Sequence, residues 1–216
     1  MHEQESLWLK KNIQVNSSRL DNVLNVGSSN KYFVEVVQPH INRNVIRTLK
    51  NLNIKIFNLD LKRDKNVHFT GDILDDTYFK EFQKNKFSSI ICANVLEHVT
   101  DPYEFAKRLA ILLKPKGLIF VTAPTVYPIH NDPIDNRFRP NIKELEKIFP
   151  NTKVISFEYL NVKSIYKTKS FISIIKIFIR AAIPIYKFKG WVTTMYMILW
   201  LFRDRYVSCV TLERIK

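Results

Sequence analysis

Glycine is scarce. Four occur in 216 residues, where average usage of about 7% would give roughly fifteen. A glycine-rich linker chain is excluded, and each glycine is expected where the backbone demands one. Cysteine is scarcer still: Cys92 and Cys209 are the whole complement, too few for a disulfide framework or a four-cysteine zinc site. Both lie in apolar runs that read as strands, and a reducing cytoplasm is the expected setting. The chain begins Met-His-Glu-Gln-Glu, without a basic stretch leading into an apolar one, so no secretory signal is expected. Repeats and low-complexity tracts are also lacking. Acids are outnumbered, 20 Asp and Glu against 34 Lys and Arg, for a formal charge of +14. That surplus predicts attraction to the phosphates of nucleic acid, of nucleotide-linked substrates or of anionic lipid, without choosing among them.

What is present suits one domain with an appendage, since 46% hydrophobic residues suffice for a sizeable core. From residue 22 onward short apolar runs alternate with helix-like segments, the pattern of a parallel sheet covered on both faces. Strands are expected at 22–26, 54–59, 67–70, 87–93, 117–123, 153–160 and 206–215, about seven in all. Residues 31–38, Lys-Tyr-Phe-Val-Glu-Val-Val-Gln, look extended, so a helix is expected only from Pro39 to Leu52. A helix from Pro102 to Leu113 has Asp101 as cap, Pro102 at its first position and Glu104 to close a capping box. Pro115, Lys116 and Gly117 then read as a turn. Another capped helix starts after Asn141, with Glu144 completing its box, and stops at Pro150. The expected organisation is a leading helix over 1–20, with Leu7, Trp8 and Ile13 covering the sheet or a cleft, a core over 21–160, an insert over 161–205 and a last strand over 206–216.

Leu24-Asn25-Val26-Gly27-Ser28-Ser29-Asn30 reads as a strand entering a small-residue loop at its carboxyl end, the edge where open parallel sheets bind ligands. Asp60, 33 positions after Gly27, ends the second strand, where a carboxylate can accept from both hydroxyls of a ribose. Gly71-Asp72-Ile73 follows the third strand and Asn94-Val95-Leu96-Glu97-His98 the fourth. The ordered set Val-Leu-Asn-Val-Gly, Leu-Asp, Gly-Asp-Ile, Asn-Val-Leu-Glu-His and Leu-Lys-Pro-Lys-Gly-Leu-Ile-Phe-Val resembles the class I S-adenosylmethionine-dependent methyltransferases over about residues 20–160. The resemblance implies an α/β Rossmann-like seven-stranded methyltransferase sheet and S-adenosyl-L-methionine as cofactor. Asn25, Gly27 and Ser28 would lie beside the methionine part, Asp60 and Leu61 at the ribose, Asp72 and Ile73 at the adenine, and Asn94 beneath the sulfonium. The family commonly has two or three glycines in its first loop, where this chain has Gly27 followed by Ser28, Ser29 and Asn30.

Methyl transfer from a sulfonium is an in-line displacement, so alignment and exclusion of water are most of what the protein supplies. A hydroxyl acceptor adds the need for a base. The loop 124–140 concentrates prolines, one His, two acids and two Arg at the sheet's carboxyl edge. His130 is the candidate base, with Asp132 or Asp135 to orient its imidazole. Arg137 or Arg139 could grip an acidic group on the acceptor or pair with the loop's own acids. Tyr127 and His98 are placed to meet the acceptor, and His98 could instead orient a loop through hydrogen bonds. The plainer alternative makes Asp135 and Arg139 a structural ion pair and His130 a turn cap. No metal is expected, although His130, Asp132 and Asp135 could chemically hold one. The order of His, Asp-Pro, Asp and Phe-Arg in this loop resembles small bacterial methyltransferases of glycan and cell-surface polysaccharide synthesis. That implies a sugar or glycan acceptor, possible in a lipid-linked form.

Residues 163–205 carry nine Lys or Arg and one acid among apolar runs. The longest uncharged stretch of this insert, Gly190 to Phe202, has 13 residues, short of the roughly 20 that span a bilayer. Basic residues beside Trp, Phe, Ile and Met suit a helix lying on an anionic membrane surface. A lid over the acceptor site is an equal alternative. A nucleic-acid surface built on Lys163, Tyr166, Lys167 and Lys169 ranks below both, because the charges are interleaved with Ile and Phe. The expected protein is a cytoplasmic O-methyltransferase peripheral to the inner membrane face. An RNA methyltransferase and a cofactor-free scaffold are the alternatives.

Overall fold

The computed structural model describes residues 1–129, 134–164, 171–182 and 188–215. Seven strands form one sheet: β1 Asn22–Val26, β2 Lys55–Asp60, β3 Phe69–Thr70, β4 Phe87–Ala93, β5 Leu113–Val126, β6 Thr152–Asn161 and β7 Tyr206–Arg214. Their order is β3-β2-β1-β4-β5-β7-β6. β1 to β5 pair in parallel, while β7 runs antiparallel to both β5 and β6. The strand order reverses between β1 and β4, which sets the switch point at the carboxyl ends of these two strands.

Alternation along the strands sends side chains to two cores. Leu24, Val26, Ile90, Cys92, Ile119 and Val121 pack with Phe105, Leu109 and Leu112 of the helix Pro102–Leu112. Val23, Ile91 and Phe120 pack on the opposite face with Trp8, Leu9 and Ile13 of the leading helix, Glu3–Val15. That helix covers the sheet as expected of Trp8 and Ile13, but Leu7 points outward, 49% exposed.

Four local expectations need correction. Residues 33–37 coil as a π-helical turn rather than extending. The Asn30 side chain accepts from Phe33 N at 2.7 Å and starts the turn, so a cap outweighs the β-branched run of Val34, Val36 and Val37. The stretch expected as β3 is shortened to Phe69–Thr70, because His68 Nδ1 takes the Asn58 N–H that a ladder would use. Asp101 caps Pro102–Leu112 by accepting from Tyr103 N and Glu104 N, but the Glu104 carboxylate turns to Lys107 and Arg108 instead of closing a box. Asn141 and Glu144 do form the expected box. Pro115 to Gly117 make a bulge inside β5, with Lys116 at φ +61°.

Among its described residues the insert contributes two helices, Phe171–Ala182 and Phe188–Leu199, joined by a hydrogen bond from Trp191 Nε1 to Ala181 O at 2.7 Å. Ile174, Trp200 and Leu201 form a small core beneath them.

Candidate active site

The ends of β1, β2 and β3 form one shelf. Gly27 sits at φ +65°, and a Cβ there would lie 2.7 Å from Val95 Cγ2, so both backbone and space require glycine. The N–H groups of Gly27 and Ser28 both donate to Leu59 O, at 2.9 and 3.2 Å. Asp60 binds the loop in turn: Ser29 N donates to its Oδ2 at 2.8 Å and Lys62 N to its Oδ1 at 3.0 Å. The second strand's acid and the first strand's loop are therefore one unit. Ser28 is buried, and its Oγ has no hydrogen-bond partner among the described residues. A lone buried hydroxyl in this loop is suited to a ligand atom.

Asn25 turns across the sheet to donate to Asn58 Oδ1 at 3.0 Å. Leu61 is 68% exposed, an apolar side chain left on the rim of the shelf. Asp72 is exposed and accepts from Leu74 N at 2.8 Å, while the Ile73 side chain is in the core and its carbonyl accepts from Arg108. The next residue along the switch point is Asn94, at φ +53° beyond β4.

The second half of the site is built from the ends of β4 and β5 and from the leading helix. Glu5, fully buried, accepts from Asn94 Nδ2 at 2.7 Å, Thr122 Oγ1 at 2.9 Å and His2 N at 2.7 Å. His2 Nε2 lies 2.8 Å from Tyr127 Oη, and the same oxygen accepts from Arg205 Nη1 at 3.3 Å. Burial, with help from Arg205, the terminal amino group and His40, draws the His2 imidazole down to about 4 against the opposing pull of Glu5. It is neutral at pH 7. Arg205 is itself buried and binds the carbonyls of Val162 and Lys163, which ties both edges of the insert to Tyr127. Burial raises the Tyr127 hydroxyl and the Cys92 thiol above their ordinary values. Cys92 is therefore no nucleophile.

Glu97 and His98 stand on the turn Leu96–His98. His98 Nδ1 meets Ile134 O at 2.5 Å, so this histidine holds the segment beyond β5. Asn136 holds it too, donating from Nδ2 to Leu96 O and Val99 O at 2.8 and 2.7 Å and from its N–H to Glu97 O at 2.9 Å. Asp135 and Arg139 form a two-pronged pair at 3.0 and 2.5 Å, with the Asp135 side chain wholly buried. Asp135 also accepts from Arg137 N, while the Arg137 side chain is exposed. His130 and Asp132 lie outside the described residues. Among those described, no group of acids, histidines and cysteines is arranged to hold a metal ion.

Sequence reasoning missed Glu5, His2, Asn136 and Arg205. Glu5 left a trace: with Trp8, Leu9, Asn12 and Ile13 it lies on one face of the leading helix, so an acid stands among core residues. The other three meet their partners over long sequence separations and left none.

A parallel sheet with a reversed order at β1 and β4, an acid at the end of β2 and an antiparallel β7 define a methyltransferase-type fold. The family model described as a methyltransferase domain matches residues 2–157, and the chain belongs to that family. Solved structures agree on the fold. A candidate methyltransferase from Bacillus halodurans C-125 has a TM-score of 0.59 at 14% identity, covering 96% of this chain and 98% of that one. A candidate sarcosine dimethylglycine methyltransferase from Galdieria sulphuraria has a TM-score of 0.56 at 10% identity, over 98% and 85%. Coclaurine N-methyltransferase, solved with N-methylheliamine and S-adenosylhomocysteine, has a TM-score of 0.58 at 12% identity, over 96% and 70%. None of the curated protein sequences matches this chain.

Proposed function

We propose that this protein transfers a methyl group from S-adenosylmethionine to a hydroxyl of a sugar or glycan precursor. The donor supplies an electrophilic methyl on a sulfonium. The shelf of Gly27, Ser28, Asp60 and Leu61 fits such a donor, with a left-handed glycine, an orphan buried hydroxyl and an acid at the sheet edge. The single observation that carries the reading is that Asp60 and the Gly27 loop are hydrogen-bonded into one unit at the switch point. Asn94 would lie beneath the sulfonium and Asp72 beside the adenine, with Ile73 offering its backbone.

For the acceptor, support comes from Ile134 and Asn136, which are fastened to the turn after β4 by His98 and by the Asn136 amide, beside the proposed donor position. His130 is the proposed base. Asp135 is committed to Arg139, which leaves Asp132 as the acid to orient that histidine. Arg137 is the exposed cation available to an acidic acceptor. Titration calorimetry of S-adenosylmethionine tests the donor, with Asp60→Ala as control. Transfer of labelled methyl to a panel of sugar nucleotides, lipid-linked sugars and RNA tests the acceptor. Label in RNA alone would overturn the glycan reading, as would His130→Ala turning over at the wild-type rate.

A second proposal concerns location. Ile172, Ile175 and Ile179 are exposed at helical spacing on Phe171–Ala182, beside exposed Lys176 and Arg180. Val192, Met195 and Leu199 repeat that spacing on Phe188–Leu199, and Phe202 follows them, also exposed. Among the described residues no helix is long and apolar enough to cross a membrane. The stripe instead favours lying on an anionic lipid surface, where a lipid-linked acceptor would be at hand. Failure to sediment with anionic vesicles at low salt would overturn this.

A further inference from the structure

Among the described residues two buried acids lack the lysine or arginine partner that a basic protein could easily supply. Glu3 pairs with Arg43, Glu104 with Lys107 and Arg108, Asp135 with Arg139, and Glu213 with Arg19. Glu5 and Glu97, at 0% and 1% exposure, are more deeply buried than most of these, yet among the described residues neither is ion-paired to a lysine or arginine. Glu5 rests on three neutral donors. Glu97 has its own backbone N–H and the His98 ring, 3.8 Å from its Oε1, with Arg139 and the terminal amino group acting only from a distance, and its buried Oε2 has no partner among the described residues. Both converge on the end of β4. Glu5 reaches it through Asn94, Glu97 stands on the next turn, and the two carboxyl groups are close enough to repel.

We propose that Glu5 and Glu97 form a cation subsite and that its occupant is the sulfonium of the methyl donor. The proposal rests on the donor assigned above. Burying acids without a counter-charge costs several kcal/mol per ionised group, and a cation brought between them recovers much of that cost because the low dielectric of the site strengthens the attraction. The demethylated product has a neutral sulfur and gains nothing from the pair, so the subsite favours the donor over the spent cofactor.

The electrostatics around Glu97 give this a distinctive signature. Glu5 and the terminal amino group act on it from the start of the chain, Cys92 from β4, His98 from its own turn, and Tyr127 and Arg139 from beyond β5. Burial, then repulsion by Glu5, pushes its carboxyl up to about 8 against its own backbone hydrogen bond, Arg139 and the terminal amino group. The empty site therefore holds a proton near pH 7, and an arriving cation displaces it. Donor binding should release a proton and tighten as pH rises toward 8, by up to about tenfold per pH unit. Binding of the neutral thioether should not.

Calorimetric titrations of S-adenosylmethionine and S-adenosylhomocysteine at pH 6.5, 7.5 and 8.5, in two buffers of different ionisation enthalpy, read both affinity and protons released. The expected result is a pH slope and proton release for the sulfonium alone, both abolished in Glu97→Gln. Glu5→Gln should lower the preference for the sulfonium. Circular dichroism melts establish that the variants are folded, and the wild-type slope remains a test should Glu5→Gln not fold. Equal pH dependence for the two nucleosides, or a slope that survives Glu97→Gln, overturns the proposal. Binding of neither nucleoside by folded wild-type protein removes the donor assignment itself, and the subsite falls with it.

Discussion

The two halves of the site are built by opposite means. The shelf at the ends of β1, β2 and β3 is made of backbone: N–H groups of Gly27, Ser28, Ser29 and Lys62 hold Leu59 O and Asp60, and its side chains Asp60, Leu61 and Asp72 are at least partly exposed. The half at β4 and β5 is made of buried side chains, some reaching across the chain, Glu5 to Asn94 and Thr122 and His2 to Tyr127, and one pair within a loop, Asp135 to Arg139. A backbone shelf can be altered at a side chain without loosening the fold. A buried polar network cannot, because each member left alone keeps its desolvation cost. Substitutions at the shelf should therefore act on ligand affinity, and substitutions at the network on stability.

The largest stability effect is expected for Arg139→Ala, which takes the two-pronged guanidinium partner from the wholly buried Asp135 side chain. Denaturant unfolding should show a loss of about 3–5 kcal/mol. Comparable destabilisation by Asp60→Ala would erase the contrast between the two halves.

Next is the pH dependence set by Glu97. Its carboxyl is raised in the fold from 4.5 to about 8, so the folded chain binds the extra proton between those values. Its contribution is fully present below about pH 4.5 and is lost as pH rises through 8. Glu97→Gln cannot lose a proton, and it should gain on the wild type by about 1 kcal/mol per pH unit between roughly pH 5 and 8. His2 works the other way: drawn from 6.5 down to about 4, it contributes stability above pH 6.5 that is lost as pH falls through 4. Equilibrium unfolding across pH 4.5–9 on the wild type and Glu97→Gln separates the two. Parallel pH curves for both proteins would mean that Glu97 is not held as described.

The same division decides what the sequence could tell. β1 and β4 are continuous apolar runs closed by Gly27 and Asn94, and their observed bounds are those expected, Asn22–Val26 and Phe87–Ala93. The shelf was legible because each of its parts follows a strand in chain order. Residues 33–37 were misjudged because Val34, Val36 and Val37 have the composition of a strand, and only the short-range cap from Asn30 decides for a helical turn. Of the buried network only the Asp135–Arg139 pair, four positions apart, was legible as an ion pair in the sequence. Glu5 and Thr122 are 117 positions apart and Tyr127 and Arg205 are 78, and no local pattern marks such pairs before the sheet brings them together.

Gly27→Ala sharpens the comparison from the shelf side. The left-handed backbone at φ +65° costs a side-chain-bearing residue about 1–2 kcal/mol, and the new Cβ must displace Val95. A modest fall in melting temperature with a clear loss of S-adenosylmethionine affinity is expected, because Val95 adjoins Asn94. An unchanged affinity would place the donor elsewhere along the edge.

The smallest stability change should come from Asp60→Ala, and it is the most informative. Removing the carboxylate deletes hydrogen bonds from Ser29 N and Lys62 N, but Asp60 is only partly buried, so water can take up the freed donors and the loss should be about 1 kcal/mol or less. Donor affinity should fall at least about tenfold, since the acid both orders the Gly27 loop and offers its remaining lone pairs to the ribose. Asp60→Asn separates those roles. Its amide keeps one acceptor oxygen, so it can retain a single backbone bond, but it accepts less well from hydroxyls. If Asn restores affinity, the acid serves chiefly to shape the loop. If Asn stays as weak as Ala while the melting curve returns to that of the wild type, the carboxylate is a direct ligand of the donor, and the backbone shelf is confirmed as the half of the site where binding and stability come apart.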